Sequence, residues 1–343
     1  MNKRVISMML AVTMLLAVLT GCGENPHLTE NWVGHSGNES SVGASGTTMG
    51  VTEEDFPDAA WGNFEWEDTA EGRRITGLTA MGKGQGVLTI PADAISVGGL
   101  ADNKEVVAVR FEGADTFIEA EAFARNTSLE DVILPSSLAI LETSVFTDCT
   151  SLKGVQFPSN GTLKRIMVAT FKNCTALTEV EIPEGVTEIW PDAFYGCKSL
   201  KTVKFPDGLR EIESYAFAHC ESLESVEFPD SLYMLASGSF SECLSLESVT
   251  IPGGVRDVGI AAFSECSRLR TVRILEGVEE VSGMAFDWCP SLEEMYFPGS
   301  LECFEDDEMY ETAPSKVYVR AGSYMESRID EILKPGTYEK IYQ

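Results

Sequence analysis

The sequence predicts a repeat solenoid: a parallel, β-rich coil of about 23 residues per turn, closed by N- and C-terminal caps. Three observations predict it. A phenylalanine returns at Phe123, Phe146, Phe171, Phe194, Phe217, Phe240, Phe263 and Phe286, in steps of 23 residues with a single step of 25. A leucine follows each of them six residues later, from Leu129 to Leu292. Three residues further comes a valine, or Met295 in the last copy. A fixed period of about 20 to 50 residues is the mark of a solenoid. Each coil of such a fold stacks only on its neighbours and cannot bury its apolar face alone.

The elements follow in chain order. Lys3 and Arg4 precede a mostly apolar run from Val5 to Leu19, which reads as a secretory signal peptide. The run ends in Leu19-Thr20-Gly21-Cys22. That ending resembles the lipobox of bacterial lipoproteins. The resemblance implies cleavage after residue 21 and a diacylglycerol on the sulfur of Cys22. No other stretch approaches the ~20 apolar residues of a spanning helix, so the lipid is the one expected contact with a membrane. Residues 22–60 are rich in Gly, Ser, Thr, Asn and Glu. Such a segment buries too little surface to order itself. It reads as a flexible tether that holds the folded part off the membrane.

Residues 61–110 are apolar but irregular. Ile75-Thr76-Gly77-Leu78 and Val87-Leu88-Thr89-Ile90-Pro91 alternate like strands. This region is expected to be an N-terminal cap with one or two degenerate coils, because a terminal repeat must present a polar end. Residues 111–300 carry the regular repeat. In the copy that starts at Ala216-Phe217, Val226 and Phe228 alternate around Glu227, which describes a strand with one face inward. Pro229 ends it, since proline donates nothing to a ladder. Leu232 and Leu235 then point inward again. Each coil thus gives one parallel strand, a turn and a tight return segment. The coil around Pro158-Ser159-Asn160-Gly161 is two residues longer and should bulge. Leu275 replaces the strand-ending proline in the seventh copy, and Asn126 stands where later copies carry cysteine.

These motifs, L-x-x-V-x-I-P with A-F-x-x-C, make the chain similar to the BspA-like leucine-rich repeat family over residues 111–300. The resemblance implies a leucine-rich repeat solenoid exposed on a bacterial surface, adhesion, and binding to an extracellular or host protein.

Residues 301–343 read as a C-terminal cap. Val317-Tyr318-Val319 is expected to be a last strand. Ser323-Tyr324-Met325-Glu326 has the form of a capping box. Met325, Ile329, Ile332 and Leu333 follow at helical spacing, and Pro335-Gly336 ends the helix.

Cys149, Cys174, Cys197, Cys220, Cys243, Cys266 and Cys289 each sit three residues after the repeat phenylalanine. An exported chain permits disulfides, and a stack places equivalent positions within range. Yet an in-register stack points all the thiols the same way. Asn126 in the first equivalent place favours an interior polar ladder, with cysteine as a weak donor. A linear row makes no tetrahedral cage and no CxxC pair exists, which disfavours metal. Cys303 remains unassigned. Of the three histidines, His27 and His35 lie in the tether, and His219 adjoins Cys220 in sequence, a poor arrangement for a base and its nucleophile. No P-loop, GxSxG or HExxH is present. No catalytic residue, cofactor or metal is expected.

The formal charge is −29. That balance disfavours nucleic acid, which needs clustered Lys and Arg. The expected function is non-enzymatic binding of a protein or other macromolecule by a lipid-anchored envelope protein. The candidate surface is the outward column of the strands: Gln156, Glu181, Lys204, Glu227, Thr250, Arg273 and Tyr296. Two alternatives belong to other classes: a structural or envelope scaffold, and a carbohydrate-binding accessory protein. The second calls for exposed Trp or Tyr on one face, whereas Trp61, Trp66, Trp190 and Trp288 are scattered.

Overall fold

Most coils lay down two short parallel strands rather than one, in a computed structural model that describes residues 60–343 apart from 306–308, 310, 311, 313 and 334. The signal, Cys22 and the tether up to residue 59 lie outside the described residues. The chain forms a parallel β-solenoid of about 11 turns. The first strand of each coil is the expected one. It spans Val87–Ile90 and Ala108–Phe111 near the N-terminal end, Thr202–Lys204 in the middle, and Thr271–Ile274, Glu294–Tyr296 and Lys316–Val319 near the C-terminal end. Equivalent residues of neighbouring coils face each other, as in Glu181↔Lys204 and Thr250↔Arg273.

The return segment carries the second strand. Arg165–Ile166, Glu188–Ile189, Glu211–Ile212 and their successors up to Cys303–Phe304 form a parallel sheet of seven two-residue strands. Strands this short persist because each is bonded to the coil before and the coil after it. In each, the second residue, such as Ile189 or Ile212, is buried beside a more exposed neighbour, which is polar in most of them.

The first ladder is interrupted twice, into sheets of four, two and five strands. One interruption falls at the longer coil. There the Asn160 carboxamide oxygen accepts from the Thr162 N–H and hydroxyl, and Gly161 turns with φ +69°. The other falls at Ser225, held by a single bridge to Thr202.

The repeat phenylalanines form the spine. From Phe123 to Phe286 the rings stack at centroid spacings of 5.0–5.7 Å and within 17° of parallel. All eight are at most 1% exposed. The turn that presents each ring is built from left-handed backbone. In one coil Tyr215 and His219 take φ +57° and +58° on either side of Phe217, and the pattern repeats along the chain. The N–H groups of Tyr215, Phe217 and His219 donate to the carbonyls of Ser237, Ser239 and Ser241 in the next coil. Ala216 and Ala218 instead close local turns onto Glu213 and Tyr215. Every second amide therefore stitches coil to coil.

The thiols form the polar ladder. Each Sγ from Cys149 to Cys289 lies 3.1–3.4 Å from the carbonyl oxygen of the phenylalanine one coil back. All seven are buried, and none is in a disulfide. The ladder runs further than the cysteines do. The Thr312 hydroxyl donates to the Phe286 carbonyl at 2.8 Å and accepts from the Cys289 N–H at 3.0 Å. At the other end the Asn126 carboxamide oxygen accepts from the Asn103 N–H.

At the N-terminal end, strand Phe64–Asp68 pairs antiparallel with Arg73–Leu78, which joins the coils in parallel through Ala94–Val97. Trp61 and Trp66 close on the Arg73 guanidinium at 5.0 and 4.7 Å. At the C-terminal end the Ser323 hydroxyl accepts from the Glu326 N–H and starts helix Tyr324–Ile332. Met325, Ile329, Ile332 and Leu333 are buried. Strand Lys316–Val319 is present but is not the last. After the helix, Glu339–Tyr342 adds one more parallel strand beside it.

Candidate functional site

The outward face of the first ladder carries two columns, because alternation about the buried valine turns both of its neighbours outward. One column is the expected one. Lys204, Glu227, Thr250 and Arg273 are exposed, and Gln156, Glu181 and Tyr296 are partly exposed. The other runs beside it through Thr202, Ser225, Ser248, Thr271 and Glu294. Sequence reasoning named only the first, although the same rule of two reveals both. Towards the N-terminus the first column continues through Ile133, Arg110 and Thr89; Ile133 and Thr89 are 9% and 2% exposed, and Arg110 between them is partly exposed. The face is therefore continuously open only from Gln156 onward.

The column is not uniform. Glu181 and Lys204 satisfy each other at 2.5 Å. Towards the C-terminus the residues stack. The Arg273 guanidinium lies 3.9 Å from the Tyr296 ring centre. Tyr296 in turn stacks on Tyr318, with centroids 3.9 Å apart and planes within 6°. The Tyr296 hydroxyl donates to Glu294 at 3.0 Å, and Lys316 Nζ donates to the same carboxylate at 3.0 Å. Bonding to Tyr318 and to Glu294 pushes the Tyr296 phenol up to about 12. The Lys316 ammonium and the Tyr296 hydroxyl hold Glu294 below the usual carboxylate range. Tyr318 is the member of this column that the repeat pattern hid. It follows Tyr296 by 22 residues, one short of the period, so a search at 23 passes over it.

Other groups singled out in the sequence fall elsewhere. His219 Nδ1 faces Glu242 at 2.9 Å and its ring packs edge-on against Tyr195. The neighbouring Cys220 thiol is directed to the Phe194 carbonyl, so the two make no nucleophile pair. Burial pushes the Cys149 and Cys197 thiols up to about 12 and those of Cys174, Cys220, Cys243 and Cys266 well above their usual range. Such thiols stay protonated and are poor nucleophiles. Cys303 pairs in register with Glu280, and with Glu305 their donor atoms lie within 4.8 Å of one another. On a chain with 54 acidic residues such a surface grouping arises by chance.

Comparison with known proteins bears on the repeats. A comparison with curated proteins found no match. Among solved structures, the chain is similar to a leucine-rich repeat protein of T. pallidum, with 25% identity over 73% of this chain and 86% of that one and a TM-score of 0.34. It is similar to a leucine-rich cell surface protein of Faecalibacterium prausnitzii A2-165, with 20% identity over 84% and 96% of the two chains and a TM-score of 0.42. A third similarity is to the pneumococcal vaccine antigen PcpA, with 18% identity over 75% and 79% and a TM-score of 0.42. A family model for the BspA-type leucine-rich repeat region matches six copies, over residues 116–245 and 187–314. That match spans more than half of the chain and coincides with the stacked Phe spine and the thiol ladder; the chain belongs to the BspA-type leucine-rich repeat family.

Proposed function

We propose that this chain is a lipid-anchored protein of a bacterial cell surface whose solenoid binds a protein partner and performs no chemistry of its own. In this reading residues 1–21 are the signal, Cys22 carries the lipid, residues 22–60 are the tether, residues 61–110 and 301–343 are caps, and residues 111–300 are the recognition body. One observation carries the binding role. Lys204, Glu227, Thr250, Arg273 and Tyr296 face outward in successive coils, one period apart. Solenoids use such extended faces for recognition. The surface location is supported by the family. A protein partner is favoured over a sugar by the stacking of the tyrosines. Arg273 covers one face of Tyr296 and Tyr318 covers the other, which leaves no face of that ring for a pyranose.

Two experiments test the parts separately. Cys22→Ser should release the protein from membranes or leave an unprocessed precursor. Membrane fractionation of a mature-length Cys22→Ser protein would refute the anchor. The immobilised chain should bind saturably to at least one member of a panel of extracellular-matrix, mucosal and envelope proteins. Failure against the whole panel would refute the binding role.

A further inference from the structure

The seventh coil departs from the chain's own pattern beside a pocket on the outward face. Leu275 stands where the neighbouring coils have Pro252 and Pro298. Its N–H bonds to the Ile251 carbonyl at 3.0 Å. The residue is nevertheless 39% exposed, so the core gains little from it. Leu275 forms one wall of a shallow pocket of about 350 Å³ whose other walls include Arg273, Glu276, Tyr296, Pro298 and Arg320.

Arg273 sets the chemistry of this pocket. It is exposed and lies against Tyr296, and no carboxylate lies within ion-pair distance of it among the described residues. The acidic side chains at this end of the sheet are already engaged. Glu276 accepts from the Gly299 and Ser300 N–H groups at 2.9 and 3.1 Å and from Arg320 at 3.1 Å. Glu294 is held by Lys316 and the Tyr296 hydroxyl. In a chain of formal charge −29, Arg273 is therefore a locally uncompensated cation beside an apolar step. Its planar guanidinium presents paired donors that match a carboxylate. Stacking on the ring restricts the side chain and leaves those donors directed outward in the guanidinium plane.

We propose that the pocket binds an acidic peptide segment, with a carboxylate on Arg273 and a neighbouring apolar side chain on Leu275 and Pro298. The proposal rests on the binding role of the outward face and names the chemistry of its partner. A uronic-acid polysaccharide offers the same carboxylate but needs an open ring face, which Tyr296 does not provide.

The test uses the full chain and a fluorescein-labelled peptide of alternating Glu and Leu, read by fluorescence anisotropy. Saturable binding is expected, weakened roughly tenfold or more, the equivalent of ~1.4 kcal/mol, by Arg273→Gln and by Leu275→Pro. The second variant restores the residue found in neighbouring coils, and circular dichroism checks that both are folded. A peptide with Gln in place of Glu should not bind. Absence of saturable binding, equal binding of the Gln peptide, or parental affinity in either variant overturns the proposal. So does displacement of the peptide by hyaluronan oligosaccharides at lower concentration than by unlabelled peptide. Lys198→Ala, an exposed cation outside the outward columns, should leave the peptide affinity unchanged. If the peptide fails while Lys204→Ala with Glu227→Ala weakens binding to a protein from the panel, the pocket assignment falls and the broader reading of the face stands.

Discussion

Raising the pH should unfold this protein through its thiols, and the size of the effect follows from the ladder. Six buried cysteines, from Cys149 to Cys266, have their thiols pushed far above the ordinary value of 9.0, because burial penalises the thiolate. In the unfolded chain the same groups ionise near their ordinary value. Between the two values the unfolded state holds fewer protons than the folded one, so stability falls as pH rises. The contribution is intact below pH ~9 and is lost progressively above it. At pH 10 each unfolded thiol is stabilised by on the order of 1 kcal/mol relative to its folded counterpart, so six together contribute several kcal/mol of destabilisation. A typical domain has only ~5–15 kcal/mol in total. The decisive comparison replaces Cys197, Cys220 and Cys243 by Ser. A hydroxyl keeps the bond to the phenylalanine carbonyl, as Thr312 already does at the end of the ladder, but does not titrate in this range. Urea unfolding followed by circular dichroism at pH 7 and pH 10 should show the triple variant losing a few kcal/mol less than the parent over that interval. Whatever the variant costs at pH 7 cancels in the difference. Identical losses in both proteins would refute the reasoning.

Two further predictions test the fold. Phe217→Ala removes a fully buried ring stacked on both Phe194 and Phe240; it should cost ~3–5 kcal/mol in urea unfolding. Ala261 adopts φ +56° at the position that Gly238 fills one coil earlier, so Ala261→Gly should relieve left-handed strain and stabilise the chain by about 0.5–1 kcal/mol net of the added unfolded-state entropy, read as a raised denaturation midpoint.

The period, the spine and the ladder are legible because they rest on side-chain identity at fixed spacing. Phe, Leu and Cys recur because each coil meets the same neighbours. Features that depend on backbone alone leave no such trace. The second strand of each coil is two residues long, as in Glu188–Ile189, and two residues cannot display alternation. The left-handed turn positions hold Tyr215, His219, Trp288 and other residues that carry no glycine signature. The final parallel strand, Glu339–Tyr342, is separated from its partner by a helix, and only packing reveals that the solenoid resumes. Within the candidate site the column from Gln156 to Tyr296 follows directly from the period. Tyr318 does not, because the single coil from Tyr296 to Tyr318 is one residue short of the period. Nor does the inequality of the charges: Lys204 is compensated by Glu181 while Arg273 is not, a difference that only the placement of side chains decides.

The most direct measurement of the central claim is the affinity of the partner found in the panel for a chain carrying Lys204→Ala, Glu227→Ala and Arg273→Ala together. Exposed sites of this kind matter to stability within about 0.5 kcal/mol each, so the triple variant should retain the parent's circular dichroism and urea midpoint. Recognition through the outward column predicts that its affinity falls at least roughly tenfold, a loss of ~1.4 kcal/mol or more, and that the parent's affinity depends on ionic strength more steeply than the variant's. Unchanged affinity in the folded variant would contradict the account and move recognition away from this face.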